Sequence, residues 1–217
     1  MRSTALAILT ASSLAVAGLA TAVTAQPIDG AAAEGMLFGA DTARVAVNPR
    51  AALSEEDEQM LRLLVESNEF TYYGAIAFAP GDGIVSPSLQ GAFNYHDVDT
   101  ASRTALTACE AARSPDAGAC ILALQLFPSG YAPRAFQLSQ DATRAFGAMR
   151  DAGGEQAFAV STTTGAFGAG TGQGADLKAL SACQQAEGAT DCGGLPRPSL
   201  AEGGKRRPRQ GCCAAGR

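Results

Sequence analysis

Tyr95-His96-Asp97, with Asp99 close behind, is the one local cluster able to do acid–base chemistry. A histidine oriented by a carboxylate can act as a general base toward a serine or threonine hydroxyl. The same residues also read as a solvated turn before a helix capped by Asp99 or Thr100, and that reading is preferred. His96 is the single histidine of the 217-residue chain, which excludes a multi-histidine metal centre. No G-x-S-x-G nucleophile elbow occurs. The glycine-dense run Gly165, Gly168, Gly170, Gly172, Gly174 precedes a helix, as phosphate-cradling loops do. It lacks the order of a P-loop or a dinucleotide fingerprint, so a flexible hairpin and helix entry is expected. Glu55-Glu56-Asp57-Glu58 could attract calcium but reads as the acidic first turn of a helix. No catalytic residue, metal site or cofactor is therefore assigned, and Tyr95, His96 and Asp97 stay as the only candidates.

The six cysteines fall at Cys109 and Cys120, Cys183 and Cys192, and the adjacent Cys212-Cys213. None forms a C-x-x-C pair, so zinc and dithiol redox chemistry are disfavoured. Comparing the chain with itself gives their context. Residues 91–109 (GAFNYHDVDTASRTALTAC) align without a gap on residues 165–183 (GAFGAGTGQGADLKALSAC), with 8 of 19 positions identical. Around both copies the same order recurs: Leu-Ser, an Ala-rich strand, Gly-Ala-Phe, Ala-Leu-x-Ala-Cys, then a second cysteine.

Each repeat therefore reads as helix, strand, strand, helix, strand. Ser54 caps a helix over 55–67 with Asp57 as its capping-box partner; Met60, Leu61, Leu64 and Val65 form its apolar stripe. Ser139 caps a helix over 140–151, faced by Ala142, Ala145, Phe146 and Met149 and stopped at Gly153-Gly154. Strands are predicted over 72–79 and 156–161, and second strands bear Phe93 and Phe167. The next helices carry Ala101, Ala105, Leu106 and Cys109, or Ala175, Ala179, Leu180 and Cys183, on one face. Such small residues let a helix lie close on a sheet. The strand 120–127 is strongly apolar and expected to be central. Cys109–Cys120 and Cys183–Cys192 would each tie a helix end to the following strand, contributing about 2–3 kcal/mol each; free buried thiols are the alternative. The fold class expected is α+β, with two tandem units over 53–137 and 138–192. The second unit should lack its last strand, because Gly-Gly-Leu-Pro-Arg-Pro follows Cys192.

The ends differ from the body. Met1-Arg2, an apolar run from Ala5 to Ala22 and Val23-Thr24-Ala25 have the layout of a cleaved secretory signal over 1–25. Residues 26–52 read as a linker. Residues 26–192 hold 9 basic and 20 acidic side chains, whereas 193–217 hold 6 basic and 1 acidic. An acidic body disfavours nucleic acid as a partner. The basic end reads either as a disordered extension contacting acidic surfaces or anionic lipid or as a replaced C-terminus, with no role for Cys212 and Cys213. No later apolar run is long enough to span a bilayer. The expectation is a monomeric, periplasmic or secreted protein.

The repeated A-x-x-x-A-L-x-x-C (Ala101, Ala105, Leu106, Cys109; Ala175, Ala179, Leu180, Cys183) with its following cysteine, in an exported chain, resembles small secreted bacterial proteins of the domain-of-unknown-function 4189 type and their alphaproteobacterial relatives. The resemblance covers roughly residues 53–192. Where typical members carry a Gly-Trp-like turn before the helix, this chain reads Gly91-Ala92-Phe93-Asn94. The resemblance implies export and a small disulfide-stapled α+β fold, with no established activity. Some similar short chains are named 5-aminolevulinate synthase. That activity needs pyridoxal phosphate on a lysine, and the only lysines here are Lys178 and Lys205. The functional expectation is a non-catalytic module that binds a protein or envelope component through strand edges or the face between units. The competing class is an enzyme, either a hydrolase using His96 or that synthase.

Overall fold

Ser54 starts the first helix of the repeat as its sequence predicts. Its hydroxyl accepts the Asp57 N–H (3.1 Å), and the Asp57 carboxylate accepts the Ser54 N–H (3.3 Å). This reciprocal cap satisfies two otherwise orphaned donors. The computed structural model describes residues 30–41, 43–186 and 188–194. The expected signal over 1–25 and the tail from 195 onward, with Cys212 and Cys213, lie outside the described residues. The described elements are α1 (Gly30–Met36), β1 (Ala43–Val47), a 3-10 turn (Pro49–Ala51), α2 (Glu55–Ser67), β2 (Gly74–Phe78), β3 (Gln90–Ala92), α3 (Val98–Ala112) and β4 (Ile121–Pro128). They continue with α4 (Gln140–Ala152), β5 (Gln156–Val160), β6 (Phe167–Thr171), α5 (Ala175–Gln184) and β7 (Gly193–Gly194).

The protein is α+β, with two antiparallel sheets ordered β1-β4-β2-β3 and β6-β5-β7. In both, the strand after the second helix pairs with the first strand of its unit, on the side away from the hairpin partner. That last strand is eight residues long in the first unit. The second unit, which its sequence predicts to lack this strand, does pair Gly193–Gly194, the end of the described residues, with Val160 and Ala159.

Side-chain alternation explains the layers. Ala75 and Ala77 of β2 meet Ala101, Ala105 and Cys109 of α3, while Ile76 and Phe78 meet Leu61 and Val65 of α2. The second unit repeats the scheme. Ala157 and Ala159 meet Ala175, Ala179 and Cys183 of α5, and Phe158 packs with Phe146 and Met149 of α4. Each sheet thus has an alanine face for one close helix and a face of large side chains for the other. Cys109–Cys120 and Cys183–Cys192 are disulfides, with Cα atoms 6.1 and 6.0 Å apart.

Two expectations change. The stretch 26–52, read as a linker, contributes α1 and β1. Ala33 of α1 packs in the second unit's core, while β1 forms the edge of the first unit's sheet. Its alternating Ala43-Arg44-Val45-Ala46-Val47 is a short strand whose pattern was hidden by its small side chains. The predicted stripe of α2 is also narrower. Leu61 and Val65 are buried, but Met60 is 50% exposed and Leu64 36% exposed, so the sheet covers only one line of side chains.

Candidate functional site

His96 does not sit in a solvated turn. It is 8% exposed, and both ring nitrogens are engaged by the second unit. The Ser139 N–H donates to Nδ1 (3.0 Å), and Nε2 lies 3.0 Å from the Ala166 carbonyl oxygen. A peptide N–H can only donate and a carbonyl can only accept. The imidazole is therefore neutral, with its proton on Nε2. Burial lowers its pKa below the ordinary value, and the Ala166 carbonyl, Asp97 and Asp191 offset this only in part.

The reason lies in the caps. In α2 the third helical residue is Asp57, which takes up the N–H of its own cap residue. The third residue of α4 is Ala142, which cannot. Ser139 still accepts the Ala142 N–H through its hydroxyl (3.2 Å). Its own buried N–H needs another acceptor, and His96 supplies it from the other unit. The rest of this helix start is completed in the same way. Asn94 Oδ1 accepts from Asp141 N (3.2 Å), and the Tyr72 carbonyl accepts from Gln140 N (3.3 Å). Gln140 Oε1 accepts in turn from Tyr72 N (3.1 Å), and its Nε2 donates to the Ala40 carbonyl (2.9 Å). Asn94 holds a left-handed backbone (φ 63°), which asparagine tolerates better than most residues. Gly165 lies against this loop so closely that a Cβ there would overlap the Asn94 carbonyl oxygen.

The neighbours of His96 have separate tasks. Asp97, rather than Asp99 or Thr100, caps α3: it accepts from Thr100 N and from Thr100 Oγ1, each at 2.7 Å. With both oxygens used there, it does not orient the imidazole. Tyr95 donates its backbone N–H to the Tyr73 carbonyl (3.1 Å). The structure thus keeps Tyr95, His96 and Asp97 together in sequence but does not bring them together as an acid–base site.

A serine and a second aspartate do lie nearby. Ser161, fully buried, also donates its N–H to the Ala166 carbonyl (2.9 Å). Its hydroxyl donates directly to Asp191, which accepts further from Thr162 Oγ1 (2.6 Å) and Thr163 N (3.0 Å). Desolvation pulls the Asp191 pKa upward, but these hydrogen bonds hold it well below the usual carboxylate range. In a hydrolytic triad the histidine takes the serine proton and the aspartate orients the histidine. Here the aspartate holds the serine and the histidine holds backbone.

No family model, curated protein or solved structure matches the chain. The glycine-dense run lies in the β5–β6 hairpin, as strand β6 (Phe167–Thr171), and then enters α5 through Gly172 and Gly174. A Cβ on Gly168 would overlap the Ala179 carbonyl oxygen, and one on Gly170 would overlap that of Ala175. These glycines let α5 lie directly on the strand. Lys178 is exposed and donates to the Thr171 carbonyl (3.0 Å). A surface lysine on that bond does not fit the pocketed lysine that a pyridoxal group needs. Glu55 to Glu58 form the first turn of α2, where Glu58 faces Arg62 at 3.9 Å.

The sequence reading missed two features. The joint at Ser139 had a signal in the absent carboxylate at position 142. The other is an open cleft of about 460 Å³ beside β1, lined by Arg44, Ala46, Phe127, Pro128, Gly130 and Tyr131. Its signal was the single cation in the apolar strand 43–47.

Proposed function

We propose that this protein is an exported, non-catalytic binding module of the bacterial envelope, acting as a monomer and related to the secreted domain-of-unknown-function 4189 group. The occupied imidazole of His96 carries the non-catalytic reading. A general base needs a free lone pair within reach of a substrate proton, and the Nδ1 lone pair of His96 is spent on Ser139 N–H inside the protein. The two local disulfides support an oxidising compartment. Among the described residues no helix is long and apolar enough to cross a membrane. The binding reading is supported by the open cleft at the edge strand β1, where Arg44 and Ala46 are exposed.

Fractionation of cells producing the full chain tests the reading. The expected product is shortened by the predicted signal, carries both disulfides and leaves the cytoplasm. A full-length, reduced, cytoplasmic product would overturn export. Ester or amide turnover that disappears in His96→Gln would overturn the non-catalytic reading.

A further inference from the structure

The two units differ in one strand. Helix α3 packs through Ala101, Ala105 and Cys109 on the alanine face of its sheet, and α5 does the same in the second unit. Among the described residues β1 has no counterpart in the second unit; at its start Ala43 packs in one apolar cluster with Val98 of α3. Arg44 and Ala46 of β1 are both exposed. Arg44 is in register with Phe127 of β4, so the two side chains share one face of the sheet. Next to them the Phe127 and Tyr131 rings stand 4.8 Å apart, tilted by 39°. Tyr131 is backed in turn by the buried ring of Tyr73 at 5.9 Å. One cation at the edge of a row of aromatic rings thus lines a cleft of about 460 Å³, a size that suits a small molecule.

Arg44 stands out among the cations. Seven of the nine basic side chains between residues 26 and 192 hold a carboxylate, a hydroxyl or a backbone carbonyl. Among the described residues, Arg44 and Arg50 have no such partner. Arg134 illustrates the contrast: it lies over the Phe38 ring at 3.7 Å and donates to the Met36 and Leu37 carbonyls. It is used up within the fold, whereas the guanidinium fork of Arg44 is available. A guanidinium pairs with a carboxylate through two parallel hydrogen bonds, and an aromatic ring stacks well on Phe127 and Tyr131. Among the described residues that line the cleft, Arg44 is the one cation. Burial first, then the charges of Asp99 and Asp97, hold the Tyr131 phenol above its usual range, so it stays neutral beside any ligand. Those aspartates also disfavour a second negative charge there.

We propose that this cleft binds a small aromatic monocarboxylate, with Arg44 holding the carboxylate and Phe127 and Tyr131 holding the ring. The proposal deepens the binding-module reading and rests on it. The chain has no tryptophan, so indole fluorescence reports the probe alone. Titrating the oxidised protein into indole-3-acetate should give a saturable rise in anisotropy. Arg44→Ala, an exposed substitution, should weaken binding by about tenfold or more, and the neutral amide of the same probe should bind weaker by a similar factor. Arg50→Ala, outside the cleft, should leave binding unchanged. No saturable rise, equal binding by Arg44→Ala, or equal binding of the amide would each overturn the proposal. None of these outcomes touches export or the lack of turnover, so the broader reading fails or stands on its own tests.

Discussion

The Nδ1 atom of His96 accepts the backbone N–H of Ser139 at 3.0 Å. One unit thereby completes the helix cap of the other. The joint is a substitute for a capping box: α2 closes its own start with Asp57, and α4 borrows an imidazole. His96 aligns with Gly170 in the second copy.

Replacing His96 should therefore act on stability. His96→Ala leaves the buried Ser139 N–H without an acceptor and opens a cavity, for an expected loss of about 2–4 kcal/mol in urea unfolding. The Ala166 carbonyl keeps its bond from Ser161 N, so the loss centres on Ser139. Hydrogen exchange should speed up at Ser139 while Ile76 in β2 stays protected. His96→Gln, which keeps an acceptor, should recover part of the loss. An unchanged unfolding midpoint for His96→Ala would count against the joint.

Acid should weaken the fold in a defined window. The folded pKa of His96 lies below the unfolded value of about 6.5. The unfolded chain then binds more protons as the pH drops, so the contribution of His96 is complete above about pH 6.5 and is lost as pH falls through the folded pKa. Asp191, also held below its ordinary value, behaves alike at lower pH: its contribution is present above about 3.9 and lost as pH falls further. Melting temperatures measured from pH 7 downward should decline in two stages, and His96→Gln should remove the first.

Much of the fold was legible in the sequence because it is local. The cap Ser54, the alternation of Ala75-Ile76-Ala77-Phe78 and the spacing of Cys109 and Cys120 each act over a few residues. The cap Ser139 was legible and so was its missing carboxylate at position 142, but its partner was not, because His96 lies 43 residues away. β1 was missed for a related reason. Ala43 to Val47 gains its place only by pairing with β4, some 80 residues on.

The glycines of β6 should resist substitution. Gly168→Ala would push a Cβ into the Ala179 carbonyl and the Cys183 N–H of α5. The helix is anchored by Cys183–Cys192 and cannot shift freely, so a loss of about 1–3 kcal/mol is expected. Gly147→Ala in α4, where a Cβ meets nothing within 4 Å, should be neutral or stabilising by up to about 1 kcal/mol. Paired unfolding curves would show the contrast, and equal effects would refute it.

The disulfides should contribute individually. Replacing Cys109 and Cys120 together by Ala should cost about 2–3 kcal/mol, from a loop closed over 11 residues. Non-reducing peptide mapping should find Cys109 with Cys120 and Cys183 with Cys192. A Cys109–Cys183 link would contradict the fold.

The most direct test reads the imidazole itself. Because His96 is the only histidine, heteronuclear NMR of the imidazole nitrogens gives one unambiguous pair of signals. The account predicts a neutral ring protonated at Nε2, with Nδ1 as acceptor, that titrates only below about 6.5. A ring protonated at Nδ1, or one that titrates at or above 6.5, would contradict it.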